Sequence, residues 1–167
     1  MNYFFLFLGF TLVLFNIFLF SLAKKLKKLE YKIRASFKQR TNLLPAIYEV
    51  SKPFLIKHDE IFKEILILRK NEFFGNETSL NFLKIIEIES QIHHELNFIF
   101  KVCNKHPKLL KEGKFIYLRE LLIEKSLDIS KGINLYKLIS KKYNSLLFVD
   151  KIFIIGLMMP FENISEI

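Results

Sequence analysis

Residues 3–23 (YFFLFLGFTLVLFNIFLFSLA) constrain this chain more than any other stretch, because none of them is charged and a lysine cluster follows at once. As a helix rising 1.5 Å per residue, the stretch is about 31 Å long, which matches the roughly 30 Å hydrocarbon core of a bilayer. It therefore predicts one membrane-spanning helix, a transmembrane anchor over residues 1–23.

A cleaved secretory signal is the alternative interpretation of the same stretch. Ser21-Leu22-Ala23 resembles a cleavage site. However, no basic residue precedes the run, and the run is longer than the roughly 7–15 apolar residues of a secretory signal. A retained anchor is favoured, and cleavage stays open.

The lysines that follow the apolar run are Lys24, Lys25, Lys27 and Lys28. Basic residues favour the cytoplasmic side of a membrane, so the N-terminus is expected outside and residues 24–167 in the cytoplasm. The protein is thus predicted to be a single-pass protein of the cell membrane. The four lysines are also candidates for contact with anionic lipid, which is worth about 1 kcal/mol for each lysine near the surface.

The composition beyond the anchor favours one helical domain. Its 144 residues suffice for a single domain, and the one cysteine of the chain excludes an internal disulfide. Residues 24–57 hold ten basic side chains against two acidic ones. Contact with lipid explains only the first lysine cluster, because the later basic residues lie farther from the membrane than a Debye length of about 8–10 Å. A solvated helix face is favoured over nucleic acid for the rest, since no nucleic-acid-binding module is recognised.

Apolar residues then recur every three or four positions, the spacing of one buried helix face. In the first segment they are Leu26, Leu29, Ile33, Leu43, Ile47, Val50, Phe54, Ile61, Ile65 and Leu68. Pro45 and Pro53 each lack a backbone donor, so a kink is predicted at either. A complete break near Pro53, with a new start near Asp59, stays open. Residues 71–78 contain Gly and Asn and predict the first turn.

Two more helices are predicted from the same spacing. The second begins near residue 78 or 79 and ends by Lys105, ahead of Pro107. Its stripe is Ile85, Ile88, Ile92, Leu96, Ile99 and Cys103. The third runs over about 115–147, with a stripe of Leu118, Leu122, Ile129, Ile133, Tyr136, Ile139 and Tyr143.

The predicted fold class is all-α, because no stretch alternates like a strand with hairpin turns. The N-terminal transmembrane helix is followed by a long antiparallel three-helix bundle over residues 24–147 and a short C-terminal helix. The tail over residues 148–167 contains an apolar run that is too short to span a bilayer. It is expected either to cap the bundle or to lie at the membrane.

Residues 40–47 (RTNLLPAI) are similar to the R-x-D-L-I-P-N-L segment of the LemA family of bacterial membrane proteins. The matching positions include Arg40, Leu43 and Pro45. Asn42 and Ala46 replace the usual Asp and Asn, so the shared role of that polar pair does not follow for this chain.

Further positions along the chain carry the same resemblance. Glu89, Ile92 and Leu96 match E-x-x-L-x-x-x-L, and His106-Pro107-Lys108-Leu109 is similar to a Y-P-x-L turn. Tyr136 and Tyr143-Asn144 are spaced like a Y-N-x-x-x-x-x-Y-N pair. The resemblance covers most of residues 3–147 and fades in the tail. It implies a long-helix antiparallel bundle on one membrane anchor, with no established activity and no catalytic residues.

The residues of chemical interest predict no catalytic, cofactor-binding or metal site. His94-Glu95 begins an H-E-x-x-H pattern, but Phe98 stands where the second ligand belongs. Glu89 and His93 are one helical turn apart and would need ligands from another helix. Cys103 continues an apolar stripe, so a core position is favoured over a nucleophile. Arg40 and Glu89 are expected to pair across two helices and to fix their register.

The sequence therefore predicts a non-enzymatic, membrane-tethered helical scaffold or interaction module without cofactor or small-molecule substrate. Its expected partners are membrane lipid and either another protein or a second copy of the chain; nucleic acid is not expected. Two alternatives stay open. One is an anionic-lipid sensor that works through residues 24–28, and the other is a metal-dependent membrane hydrolase that uses His58, His93 and His94.

Overall fold

The computed structural model describes residues 2–55, 60–74, 82–152 and Ile164. Within these residues the chain forms four α-helices, two short 3₁₀ helices and no strand, which confirms the all-α prediction. The α-helices are α1 (Asn2–Ser51), α2 (Ile61–Phe74), α3 (Phe82–Cys103) and α4 (Gly113–Ile152), and the 3₁₀ helices are Lys52–Phe54 and Leu109–Lys111. The predicted C-terminal helix falls almost entirely outside the described residues.

The helices pack as two compact units. The first unit is Met1–Lys32 with Gly132–Ile167, and the second is Ile33–Lys131. Helices α1 and α4 each contribute to both units. The sequence predicted three consecutive regions, namely an anchor, a bundle and a tail. The two compact units do not test that division, so it stays a prediction.

Helix α1 joins the predicted anchor and the first predicted bundle segment into one helix, which continues through Pro45. A proline inside a helix costs about 3 kcal/mol, because it removes a hydrogen bond and crowds the preceding turn. Leu44 and Ile47 flank Pro45 and are both 0% exposed. Their burial favours the continued helix and offsets part of that cost.

Helix α1 ends at Ser51, which is the break that the sequence had left open near Pro53. Pro53 lies in the first turn of the 3₁₀ helix, where an absent N–H breaks no helical hydrogen bond. Leu55 then donates its N–H to the carbonyl oxygen of Lys52 at 3.2 Å and buries its side chain. The segment predicted as one kinked helix is therefore two helices, α1 and α2.

Contacts within the second unit show the helix directions. The Arg34 guanidinium lies 5.6 Å from the ring centroid of Phe82, and further along both helices Arg40 binds Glu89. Because the two contacts advance together, α1 and α3 are parallel. The sequence had predicted them as antiparallel neighbours; α2 reverses the chain between them and adds a fourth helix.

The same unit has a continuous apolar core. Helix α2 begins beside the end of α1, where the rings of Tyr48 and Phe62 are 5.1 Å apart. The predicted stripes supply most of the core, as in Ile47, Ile65, Ile92, Leu96, Ile99, Leu118, Leu122 and Ile129. Phe37 is also buried, although the predicted stripe passed directly from Ile33 to Leu43.

The first unit, as far as it is described, pairs the N-terminal part of α1 with the C-terminal part of α4. The Lys142 Nζ lies 5.7 Å from the ring centroid of Phe18, while the charge of Glu30 acts on Tyr136. Residues later in α1 therefore lie beside residues earlier in α4, so the two helices are antiparallel. The residues buried in this unit are Leu19, Leu26, Tyr136, Ile139, Ser140, Tyr143 and Leu147.

Candidate functional site: a buried ion pair and an exposed apolar helix

A buried ion pair between Arg40 and Glu89 lies inside the second unit, as the sequence predicted. Arg40 Nη1 donates to Glu89 Oε1 at 2.7 Å, and Nη2 donates to Glu89 Oε2. Nη1 also donates to Ser126 Oγ at 3.3 Å, so side chains from α1, α3 and α4 meet here. The guanidinium carbon lies 5.5 Å from the ring centroid of Phe37.

The burial of this pair defines what it does. Arg40 is 0% exposed and Glu89 is 8% exposed, so both side chains are shielded from solvent. Burial raises the pKa of the Glu89 carboxyl, and the charge and hydrogen bond of Arg40 oppose that rise. Arginine keeps its charge in proteins, and a bidentate pair accepts only one register of the two helices. The arrangement therefore aligns α1, α3 and α4 and supplies no reactive group.

Cys103 lies near the end of α3 and is 0% exposed. Burial raises the pKa of its thiol to about 11; the neighbouring Ser51 hydroxyl and the charge of Arg119 oppose that rise. Because the thiolate is the nucleophilic form, Cys103 stays protonated and unreactive at neutral pH. This agrees with the core position that its place in the apolar stripe predicted.

The tyrosine and asparagine positions of the family motif lie in the first unit. Tyr136 and Tyr143 are buried, and burial together with Glu30 raises the pKa of Tyr136 to about 12. Asn144 binds the backbone of Ile164 in both directions. Its Nδ2 donates to the carbonyl oxygen at 2.8 Å, and the Ile164 N–H donates to its Oδ1 at 3.2 Å.

This link between Asn144 and Ile164 was not predicted. It fastens a tail residue to α4 across 20 positions of sequence. No helix or strand period signals such a contact, because it depends on where the chain returns after α4. The only sequence signal was the place of Asn144 in the family motif.

The other motif positions and the histidines are spread through the fold. Leu43 and Pro45 are half-buried in α1, and Pro107 is exposed in the turn between α3 and α4. His93 and His94 are exposed on α3, whereas His58 lies outside the described residues. Among the described residues, no group of three metal-binding side chains comes together.

The apolar N-terminal part of α1 is exposed rather than packed. Ten large apolar side chains there are between 44% and 86% exposed: Tyr3, Leu6, Phe7, Leu8, Phe10, Val13, Leu14, Ile17, Phe18 and Phe20. Only 6% of the most apolar 18-residue stretch of α1 is buried. In the core helix of a globular protein, most of such a stretch is buried. Length and composition make this helix a candidate membrane span. The lysines predicted to face lipid, Lys24, Lys25, Lys27 and Lys28, are all exposed.

One curated protein similar to this chain is eukaryotic translation initiation factor 2-alpha kinase 1 of Plasmodium falciparum (isolate 3D7). The two are 32% identical over 106 residues, which are 64% of this chain and 7% of the kinase. Since the chain spans so little of that protein, the activity in its name is not carried over.

A family model gives a broader match. The LemA family model matches residues 30–163, which is most of the chain. The match begins after the apolar run and extends into the tail, whereas the sequence resemblance had included the N-terminal helix and faded after residue 147. Arg40, Glu89, Tyr136 and Asn144, whose contacts are described above, all lie inside it. This chain belongs to the LemA family.

Proposed function

We propose that the protein is a membrane-tethered helical interaction module without enzymatic activity, whose second unit lies on the cytoplasmic side. The observation that carries the proposal is the exposed apolar surface of α1. Ten large apolar side chains on one helix are more than a soluble surface normally leaves uncovered. Lipid is the solvent in which such a helix is stable, since all its backbone groups bond within the helix.

The arrangement of the second unit supports a role in interaction rather than catalysis. The buried ion pair of this unit, Arg40 with Glu89, lies in the core. Several apolar side chains remain on its surface, including Phe98 at 49%, Tyr117 at 62% and Leu127 at 54% exposure. These are the described positions of this unit at which another protein, or a second copy of the chain, would make apolar contacts.

The topology is tested by labelling with a membrane-impermeant maleimide in intact cells. Native Cys103 cannot report it, because its thiol is buried and protonated. A Cys103→Ala background therefore carries one new cysteine, either Tyr3→Cys or Ser130→Cys, both at exposed positions. We expect Tyr3→Cys to be labelled in intact cells and Ser130→Cys only after lysis. Labelling of Ser130→Cys in intact cells would contradict the proposed orientation.

The interaction role is tested by photo-crosslinking in native membranes. A photoreactive residue replaces Phe98 or Tyr117, and the exposed Ser90 serves as the matched polar position. The proposal expects a discrete adduct from the apolar positions, at twice the 19.9 kDa chain mass if the chain binds itself. Equal or absent adducts at all three positions would count against it.

A further inference from the structure

We propose that the first unit carries a basic collar, formed by both of its helices, that binds the phosphate headgroups of anionic membrane lipid. The collar consists of Lys24, Lys25, Lys27 and Lys28 on α1 and Lys137, Lys141 and Lys142 on α4. The inference rests on the proposed membrane tethering and deepens it, because it names the lipid class that the module prefers. The α4 lysines are more than 100 residues away in sequence from those on α1.

One contact and one electrostatic interaction bring the α4 lysines to the level of the α1 lysines. Lys142 reaches the ring of Phe18, and Glu30 acts on Tyr136. The stretch 136–142 of α4 therefore lies beside the stretch 18–30 of α1, which contains residues 24–28. All seven collar lysines belong to the same compact unit.

Most collar lysines lie on helix faces away from the seam between the two helices, and Lys142 lies at the edge of the seam, where its Nζ is 5.7 Å from the ring centroid of Phe18. At about 100° per residue, the four α1 lysines span the side of the helix opposite the buried Leu26. On α4, Lys137 and Lys141 likewise lie across from the buried Tyr136 and Tyr143. All seven are exposed, so basic side chains face outward from both helices.

The charge around the collar is almost all positive. The first unit as a whole has nine lysines and four acidic residues, but within residues 1–32 and 132–147, which carry the collar, there are eight lysines and one glutamate, Glu30. The second unit, by contrast, mixes 17 basic with 13 acidic residues. Among the described residues, the four α1 lysines form no ion pair with an acidic side chain.

The position of the collar along α1 selects lipid as the partner. The ten exposed apolar side chains in the N-terminal part of α1 end at Phe20, about one helical turn before Lys24, and the next exposed one, Tyr31, follows the α1 lysines. A helix that leaves the hydrocarbon there places the next two turns in the headgroup layer, where anionic phosphates attract lysine. The α4 lysines are far from the α1 lysines in sequence. Only the packing of the two helices brings the α4 lysines within a Debye length of about 8–10 Å of the headgroup layer.

The test measures lipid selectivity of the full chain reconstituted in phosphatidylcholine bilayers. Spin-labelled phosphatidylglycerol and spin-labelled phosphatidylcholine are compared by electron paramagnetic resonance, which gives the ratio of their association constants at the protein surface. A lysine near the surface is worth about fivefold in binding of anionic lipid. We expect a several-fold preference for phosphatidylglycerol, and at least a twofold lower ratio in the variant Lys137→Gln/Lys141→Gln/Lys142→Gln.

The matched control is Lys105→Gln/Lys108→Gln/Lys111→Gln, which removes the same charge from exposed positions of the second unit. It should leave the ratio unchanged. An equal loss in both triple variants, or no loss in either, would overturn the collar while the chain stays in the bilayer. A chain that an alkaline wash removes from the bilayer would refute the membrane tethering itself and the collar with it.

Discussion

Removing one partner of the Arg40–Glu89 pair should destabilise the protein far more than removing both. Arg40→Leu leaves the Glu89 carboxyl in the core without its counter-charge, and Glu89→Leu leaves a buried guanidinium that cannot lose its charge. Breaking a buried pair in this way costs about 3–5 kcal/mol. The double variant Arg40→Leu/Glu89→Leu leaves no buried charge and should cost only about 0–2 kcal/mol, chiefly the hydrogen bond that Arg40 donates to Ser126.

The assay is thermal unfolding of the full chain in detergent, followed by circular dichroism at neutral pH. For a chain of this size, about 3–5 kcal/mol corresponds to a fall in Tm of roughly 10 °C. Each single variant should show that fall, and the double variant should recover most of it. Single variants that cost less than about 1 kcal/mol, or a double variant whose loss is the sum of the two, would refute a buried, coupled pair.

Three further predictions test other parts of the fold. Leu19→Ala should lower the free energy of unfolding by about 2–5 kcal/mol, because Leu19 is 0% exposed, whereas Leu6→Ala at 69% exposure should leave it unchanged; denaturant titration compares the two. Asn144→Ala should release Ile164 from α4, so limited proteolysis should cut the last residues faster without loss of helical signal. The pKa of the Cys103 thiol is raised from 9.0 to about 11 in the folded chain. Folding therefore favours the protonated thiol, and its contribution of about 2–3 kcal/mol is complete below pH 9 and is lost as pH rises through 11. Cys103→Ala, measured at the same pH values, should lose less stability than the native chain between pH 9 and 11, while the decline due to Tyr136 stays.

The sequence was sufficient for the helical class and for most of the core. Its three- and four-residue spacing identified Ile92, Leu96 and Ile99 on α3 and Leu118 and Leu122 on α4 as core, and all five are buried. Such spacing reports which face of a helix is covered. It does not report which element covers it, so it could not show that α1 and α3 are parallel.

The two prolines illustrate a second limit. Pro45 and Pro53 have the same local chemistry, yet the helix continues through the first and ends before the second. Flanking burial does not separate the two prolines, because Leu44 and Ile47 beside Pro45 and Ser51 and Leu55 beside Pro53 are all buried. Local propensity alone therefore left both a kink and a break open, and the structure shows where the chain turns into α2.

The candidate site divides in the same way. The sequence predicted that Arg40 and Glu89, two opposite charges on different helices, would pair and fix the register of those helices, and the structure brings them together. Contacts that depend on where the chain comes back after a turn were not predicted. Among them are the hydrogen bond from Arg40 to Ser126 and the hydrogen bond from Asn144 to Ile164. The lysines of α4 were missed for the same reason, since their nearness to residues 24–28 appears only when the helices are packed.

The central claim is that α1 holds an intact chain in the membrane. The most direct measurement is the mass of the protein recovered from cell membranes after an alkaline carbonate wash. Tethering by α1 predicts that the washed membranes retain the full-length chain, with residues 1–23 still attached. Protein found in the wash, or a membrane-free product that lacks the first 23 residues, would contradict it.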